Sequence, residues 1–158
     1  ESVAKRRYWL LKSEPGTYSI SDLERDGSTC WEGVRNYQAR NFMREMKVGD
    51  RALFYHSSAN PPGVAGLAEI VREAYPDHFA WDEDSDYFDP RSTEENPVWF
   101  MVDVGFVERF PELLPLPELR EDPALEGMEL LRRGSRLSVQ PVSKEHFEHI
   151  LQLARKRR

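Results

Sequence analysis

Apolar and polar residues alternate along this chain with two different periods, and the elements change where the period changes. Tyr8-Trp9-Leu10-Leu11-Lys12 is a short apolar run that reads as a buried strand, stopped by Glu14-Pro15-Gly16. Ser19 to Glu24 reads as a short helix, because Ser19 stands three residues before Asp22 in a capping-box arrangement and Gly27 follows its end. From Asn36 to Met46 the apolar residues Ala39, Phe42, Met43 and Met46 recur at helical spacing, so one face of a helix enters a core. Gly49-Asp50 then turns the chain into an antiparallel pair, Arg51 to His56 and Val64 to Glu73, joined by the loop Ser57 to Gly63. Val98 to Glu108 is a strand with Val98, Phe100, Val102, Val104 and Phe106 on one face and Trp99, Met101 and Val107 on the other. Two apolar faces predict that one lies inside a barrel and the other beneath helices.

Leu113 to Arg133 reads as one or two short helices divided near Asp122-Pro123 and closed by Gly134. Arg136 to Gln140 is a short last strand. Ser143 caps a final helix that buries Phe147, Ile150, Leu151 and Ala154. Five strands interleaved irregularly with helices predict an α+β fold built on a small, strongly bent sheet, not a doubly wound one.

At 158 residues the chain suits a single domain, 1–158, and can bury a proper core. No apolar run reaches the length of a membrane span and no signal-peptide segment opens the sequence. Cys30 stands alone, which excludes an internal disulfide framework or a multi-cysteine zinc site and fits a reducing compartment; the expectation is a soluble cytoplasmic protein. The net charge of −6 argues against a long electropositive nucleic-acid track. Asp82 to Glu95 holds seven acids against the one base Arg91, so this loop accounts for the whole excess. Basic clusters stand at both ends, within 1–7 and 155–158, and are expected to be flexible. A recogniser of one or a few nucleotides fits this distribution.

Four segments carry candidate chemistry. Trp31-Glu32-Gly33-Val34-Arg35-Asn36 precedes the amphipathic helix, so Arg35 and the helix N-terminus can hold an anion while Trp31 supplies a ring for stacking. Lys12-Ser13-Glu14 puts polar groups at the rim of a buried strand. Tyr55 and Ser57 share one side of their strand if Phe54 points inward. Ser138 and Gln140 alternate with Leu137 and Val139, and a Gln–Ser pair can read a base edge. Each segment also has a plain structural reading as a turn, a covered aromatic or a solvated face. His146 and His149 lack further ligands, so no metal site is predicted, and no phosphate-loop, dinucleotide or nucleophile-elbow motif occurs. No cofactor is expected.

These segments lie within blocks that resemble the EVE domain family. The blocks are Tyr8-Trp-Leu-Leu-Lys-Ser-Glu-Pro15, Trp31-Glu-Gly-Val-Arg-Asn-Tyr-Gln-Ala-Arg-Asn-Phe42, Met46-Lys-Val-Gly-Asp50, Leu53-Phe-Tyr-His-Ser57, Gly63-Val-Ala-Gly66, Ala74-Tyr-Pro-Asp77, Trp99-Phe-Met-Val-Asp-Val104 and Arg136-Leu-Ser-Val-Gln-Pro-Val142. They span nearly the whole chain. The resemblance implies a PUA-like five-stranded pseudo-barrel surrounded by helices, related to YTH and ASCH domains. It also implies a module that binds a modified base, such as modified cytosine or another methylated base in DNA, without transforming it. Carried onto this chain, the pocket draws on Lys12, Ser13, Trp31, Arg35, Asn36, Tyr37, Tyr55, Ser57, Ser138, Gln140 and Pro141. A flipped or single-stranded base would stack on Trp31 or Tyr55, with Ser13 and Gln140 on its edge and Arg35 on a phosphate. Trp31→Ala is then expected to abolish selective binding and leave the fold intact. Two rivals remain: an ASCH-like amidohydrolase of modified nucleosides using Lys12 with Glu14, and a protein-interaction module using the acidic loop 82–95. The expected partner is nucleic acid carrying a modified base, or a modified nucleotide, with no membrane.

Overall fold

The computed structural model describes residues 6–156. Ten elements follow one another: β1 Tyr8–Ser13, α1 Ile20–Asp26, β2 Ser28–Cys30, α2 Tyr37–Glu45, β3 Arg51–His56, β4 Gly63–Pro76, β5 Phe100–Pro115, α3 Leu116–Arg120, β6 Val139–Val142 and α4 Lys144–Arg155. The strands form one six-stranded sheet in the order β2-β5-β4-β3-β1-β6. Only β1 and β3 run parallel; the other neighbours are antiparallel. The long strands β4 and β5 shift register several times along their length, and such bulges bend and coil a sheet.

Both faces of the sheet are covered, as the double apolar pattern requires. Trp9 and Leu11 of β1, Phe54 of β3 and Val102 and Val104 of β5 pack with Ala39, Met43 and Met46 around α2. Leu10 of β1 and Leu53 and Tyr55 of β3 pack on the opposite side with Phe147, Ile150 and Ala154 of α4. Alternating side chains of one strand therefore enter two different cores. The helix ends are fixed by the residues that the sequence suggests. Ser19 and Asp22 form the capping box of α1, the Asn36 side chain accepts from the Ala39 N–H, and the Ser143 side chain accepts from the His146 N–H.

Three expectations change. The sheet has six strands rather than five, because Ser28–Cys30 adds to β5 at one edge. Leu113 does not begin a helix: β5 runs on to Pro115, and the following stretch holds only the short α3 and two single turns of 3-10 helix, at Pro123–Leu125 and Glu129–Leu131. The last strand is Val139–Val142, not Arg136 to Gln140. It forms the other edge, where Pro141 is tolerated because one side of the strand needs no partner. The described part of the basic ends is placed as well. The Arg7 N–H donates to Asp50 (3.1 Å), and Arg155 is the last residue of α4; residues 1–5 and 157–158 lie outside the described residues.

Candidate functional site

A cleft of about 480 Å³ opens where the C-terminal end of β1 meets the segment between β2 and α2. Its lining includes Lys12, Ser13 and Glu14 from β1 and its turn, Tyr18 before α1, Cys30 to Arg35, Tyr87 and Ser138. The volume lies within the ~300–1,000 Å³ of small-molecule sites.

The walls are held by local rules. Glu14-Pro15-Gly16 ends β1, and the Glu14 carbonyl accepts from both the Thr17 and Tyr18 N–H groups. Ser13 Oγ donates to the Tyr18 carbonyl (2.6 Å), folding the turn back over the strand end. Trp31 continues the β2 pairing through its N–H to the Val102 carbonyl (2.7 Å). Trp31 is 9 % exposed and its ring meets Phe54 edge-on at 5.5 Å, so it packs in the α2-side core while also lining the cleft.

Gly33 adopts φ +84°, a left-handed conformation that side chains resist. A Cβ there would stand 2.6 Å from the Tyr87 ring. That close approach brings Tyr87, from the acidic loop, over the cleft. The Gly33 N–H donates to Asp77 Oδ2 (2.9 Å), and Asp77 is fully buried. Arg35 Nη1 donates to the same oxygen (3.0 Å), and the Phe79 N–H donates to Oδ1 (3.0 Å). A buried carboxylate is tolerable only when satisfied in this way. Arg35 also donates to the Val34 carbonyl and, through Nε and Nη2, to the Tyr87 carbonyl. Four of its five donors are thus used internally. Arg35 ties the loops of the cleft together, which leaves one donor for the phosphate contact expected of it.

Burial sets the protonation of the lining. Desolvation, with the Asp26 hydrogen bond, pushes the Tyr18 phenol up to about 12. Desolvation, with Glu32 and Asp103 nearby, pushes the Cys30 thiol up to about 11. Tyr87 is raised for the same first reason. These groups are neutral donors at physiological pH. Burial lowers Lys12, and Glu129 opposes that shift.

Of the eleven residues expected in the pocket, the structure brings Lys12, Ser13, Trp31, Arg35 and Ser138 to the cleft. Asn36 is spent as the α2 cap. Tyr37 stacks on Trp99 at 4.9 Å beneath the Arg40 guanidinium and is not part of the cleft lining. Tyr55 is 3 % exposed in the α4-side core, with Lys12 Nζ 5.8 Å from its ring. The Ser57 N–H donates to the Ser13 carbonyl, and Ser57 is not part of the cleft lining. Gln140 is opposite Leu10 in the β1–β6 ladder and shares its α4-facing side. It is fully buried and donates to the Leu137 carbonyl (2.8 Å). Pro141 borders a different cavity, beside Arg6 and Lys47.

Tyr87, Tyr18, Glu32 and Thr29 line the cleft without having been expected there. An aromatic pair, Tyr87-Phe88, inside an otherwise acidic loop was the available signal that the loop folds back. The loop does so: Asp89 accepts from Trp99 Nε1 (2.7 Å) and pairs with Arg91 (3.0 Å). Among the described residues no group of His, Cys, Asp and Glu is arranged to hold a metal ion, and no helix is long and apolar enough to cross a membrane.

A curved mixed sheet with helices on both faces, opening at one end into a cleft walled by aromatic and hydroxyl groups, is a PUA-like module. Comparison with known proteins gives the particular family. The sequence matches the EVE domain over residues 7–153, and the chain belongs to this family. It is 45 % identical to human thymocyte nuclear protein 1 over 94 % of this chain and 74 % of that protein. The crystal structure of human THYN1 protein in complex with 5-methylcytosine-containing DNA superposes with a TM-score of 0.87 at 46 % identity, covering 94 % of this chain and 97 % of that one. The YTH domain of Zygosaccharomyces rouxii MRB1 protein, solved with N6-methyladenosine RNA, is similar in fold, with a TM-score of 0.55 at 15 % identity, covering 96 % of this chain and 88 % of that one. The expected cytoplasmic location is overturned by the curated relatives, whose name, thymocyte nuclear protein 1, points to the nucleus. One unpaired cysteine reports a reducing environment, which cytoplasm and nucleus share, so the residues could not separate them.

Proposed function

We propose that this chain is a nucleic-acid reader that takes a single modified base, 5-methylcytosine or a related modified cytosine of DNA, into the cleft beside Tyr87 and Trp31. It holds the base without transforming it. The observation that carries this reading is the meeting, in one cleft, of aromatic edges and short hydrogen-bonding side chains from distant parts of the chain. The DNA complex of the 46 % identical human structure supports the ligand class. A base within a duplex must leave the stack to enter such a cleft, a cost of a few kcal/mol. Stacking on an aromatic side chain returns about 1–3 kcal/mol. A buried methyl group adds about 0.8 kcal/mol, which distinguishes a methylated base from its parent. Cytosine offers an N4 amino donor, and the Glu14 and Glu32 carboxylates in the lining are natural acceptors for it.

Fluorescence-quenching titration with 5-methylcytosine, unmodified and other modified nucleosides and duplexes tests the reading. Tyr87→Ala is the informative variant because Tyr87 is 36 % exposed and outside both cores. Selective binding of the methylated ligand is expected, weakened about fivefold to 150-fold in Tyr87→Ala as roughly 1–3 kcal/mol of stacking is lost. Equal affinity for methylated and unmethylated ligands would refute it.

A further inference from the structure

At the other end of β1 lies a second concave surface, of about 900 Å³, that the base cleft does not use. Four cations line it: Arg6 and Arg7 before β1, Lys47 after α2 and Lys144 at the start of α4. All four are exposed. The one carboxylate in the lining, Asp50, is 3 % exposed and is fully engaged inward, accepting from the Arg7 N–H, the Lys47 N–H and Trp9 Nε1. Asp50 therefore acts as a pin that brings three separate segments together, and the charge it presents to solvent is small. Arg7 and Lys47 also reach Glu45 (2.8 Å) and Glu73 (3.9 Å), but in exposed pairs that water screens and a phosphate can replace. A concentrated positive surface stands out in a chain whose net charge is −6.

We propose that this basic surface is a second nucleic-acid contact that holds the phosphodiester backbone flanking the base read by the cleft. The inference rests on the base-reading function proposed above. Its geometry follows from β1: Arg7 and Ser13 are six residue steps apart, about 20 Å of extended strand at ~3.3 Å per residue. One strand of a duplex rises 3.4 Å per nucleotide, so the two contacts are about six nucleotides apart. In the lining of the base cleft Lys12 and Arg35 are balanced by Glu14 and Glu32, and Arg35 is tied to Asp77. The backbone contact that affinity requires is supplied instead at the far end of the same strand.

The test compares a 5-methylcytosine duplex with free 5-methyldeoxycytidine on the unmodified chain and on the double variant Lys47→Gln/Lys144→Gln, across a range of salt. Each lost phosphate contact should lower the slope of log affinity against log salt by about 0.9, so about 1.8 for the pair. Affinity for the free nucleoside should not change, which also shows that the variant is folded with its cleft intact. Duplex binding with an unchanged slope overturns the basic surface alone. Failure of the unmodified chain to bind either ligand overturns the base-reading function, and this inference with it.

Discussion

Gly33, Arg35 and Asp77 hold the cleft together through hydrogen bonds to one another and to the acidic loop. Gly33→Ala places a side chain in left-handed backbone, a cost of about 1–2 kcal/mol, and drives it into the Tyr87 ring. A lowered melting temperature is expected, with weaker base binding, and the added variant Tyr87→Ala should recover the steric part in a double-mutant cycle. Arg35→Met leaves the fully buried Asp77 without its cation. Breaking a buried pair in this way costs about 3–5 kcal/mol. Denaturant unfolding should show that loss, together with an unchanged salt slope for whatever DNA binding survives, because the proposed phosphate contacts lie on the basic surface at the other end of β1. Trp31 is corrected on the same grounds. Trp→Ala at a core position costs about 3–5 kcal/mol, so Trp31→Ala is expected to lower stability as well as binding, and Tyr87 is the better probe.

Helices were legible because their signals are local. Ser19, Asn36 and Ser143 announce their helices by side-chain chemistry at the first turn, and the apolar spacing of α2 and α4 marks the buried faces. Asn36→Ala should cost about 1 kcal/mol of stability and leave base selectivity unchanged, because Asn36 caps α2 and does not line the cleft. Strands at the edges were harder to read. Ser28–Cys30 is too short and polar to show alternation, and it forms a strand only because β5 presents an open edge. In β6 the register decided the outcome. Side chains alternate faces, so pairing Gln140 with Leu10 sends it to the α4 side, where it is fully buried and outside the lining of the cleft that the sequence pattern assigned it. The acidic loop has its own pH dependence. Hydrogen bonds from Arg91 and Trp99 hold the Asp89 carboxyl far below its ordinary value. A depressed carboxylate stabilises fully above its unfolded pKa of about 3.9, and that stabilisation is lost as pH falls through the folded value. Unfolding midpoints should therefore drop below about pH 4, and Asp89→Asn should flatten that limb; an unaltered acid profile would show that Asp89 does not anchor the loop.

For the whole molecule, the α+β class, the two covered sheet faces and the family blocks were readable from the chain, because hydrophobic periodicity records which faces are buried. What was not readable is which segments meet. Tyr87 reaches Gly33 across a turn of acidic residues, and Asp77 joins the loop of α2 to the end of β4, contacts set by the bend of β4 and β5 rather than by local sequence. The molecule that results separates its tasks: a cleft of mixed charge at one end of β1, a basic surface at the other, and two cores between them. The most direct measurement is the set of indole N–H signals in a proton–nitrogen NMR spectrum as 5-methyldeoxycytidine is added. Trp9 and Trp99 have their indole N–H groups locked on Asp50 and Asp89. Trp31 borders the cleft. The account predicts that the Trp31 signal shifts saturably with the methylated nucleoside, and more strongly than with deoxycytidine, while Trp9 and Trp99 stay in place. A shift of Trp9 or Trp99 with Trp31 unmoved would contradict it.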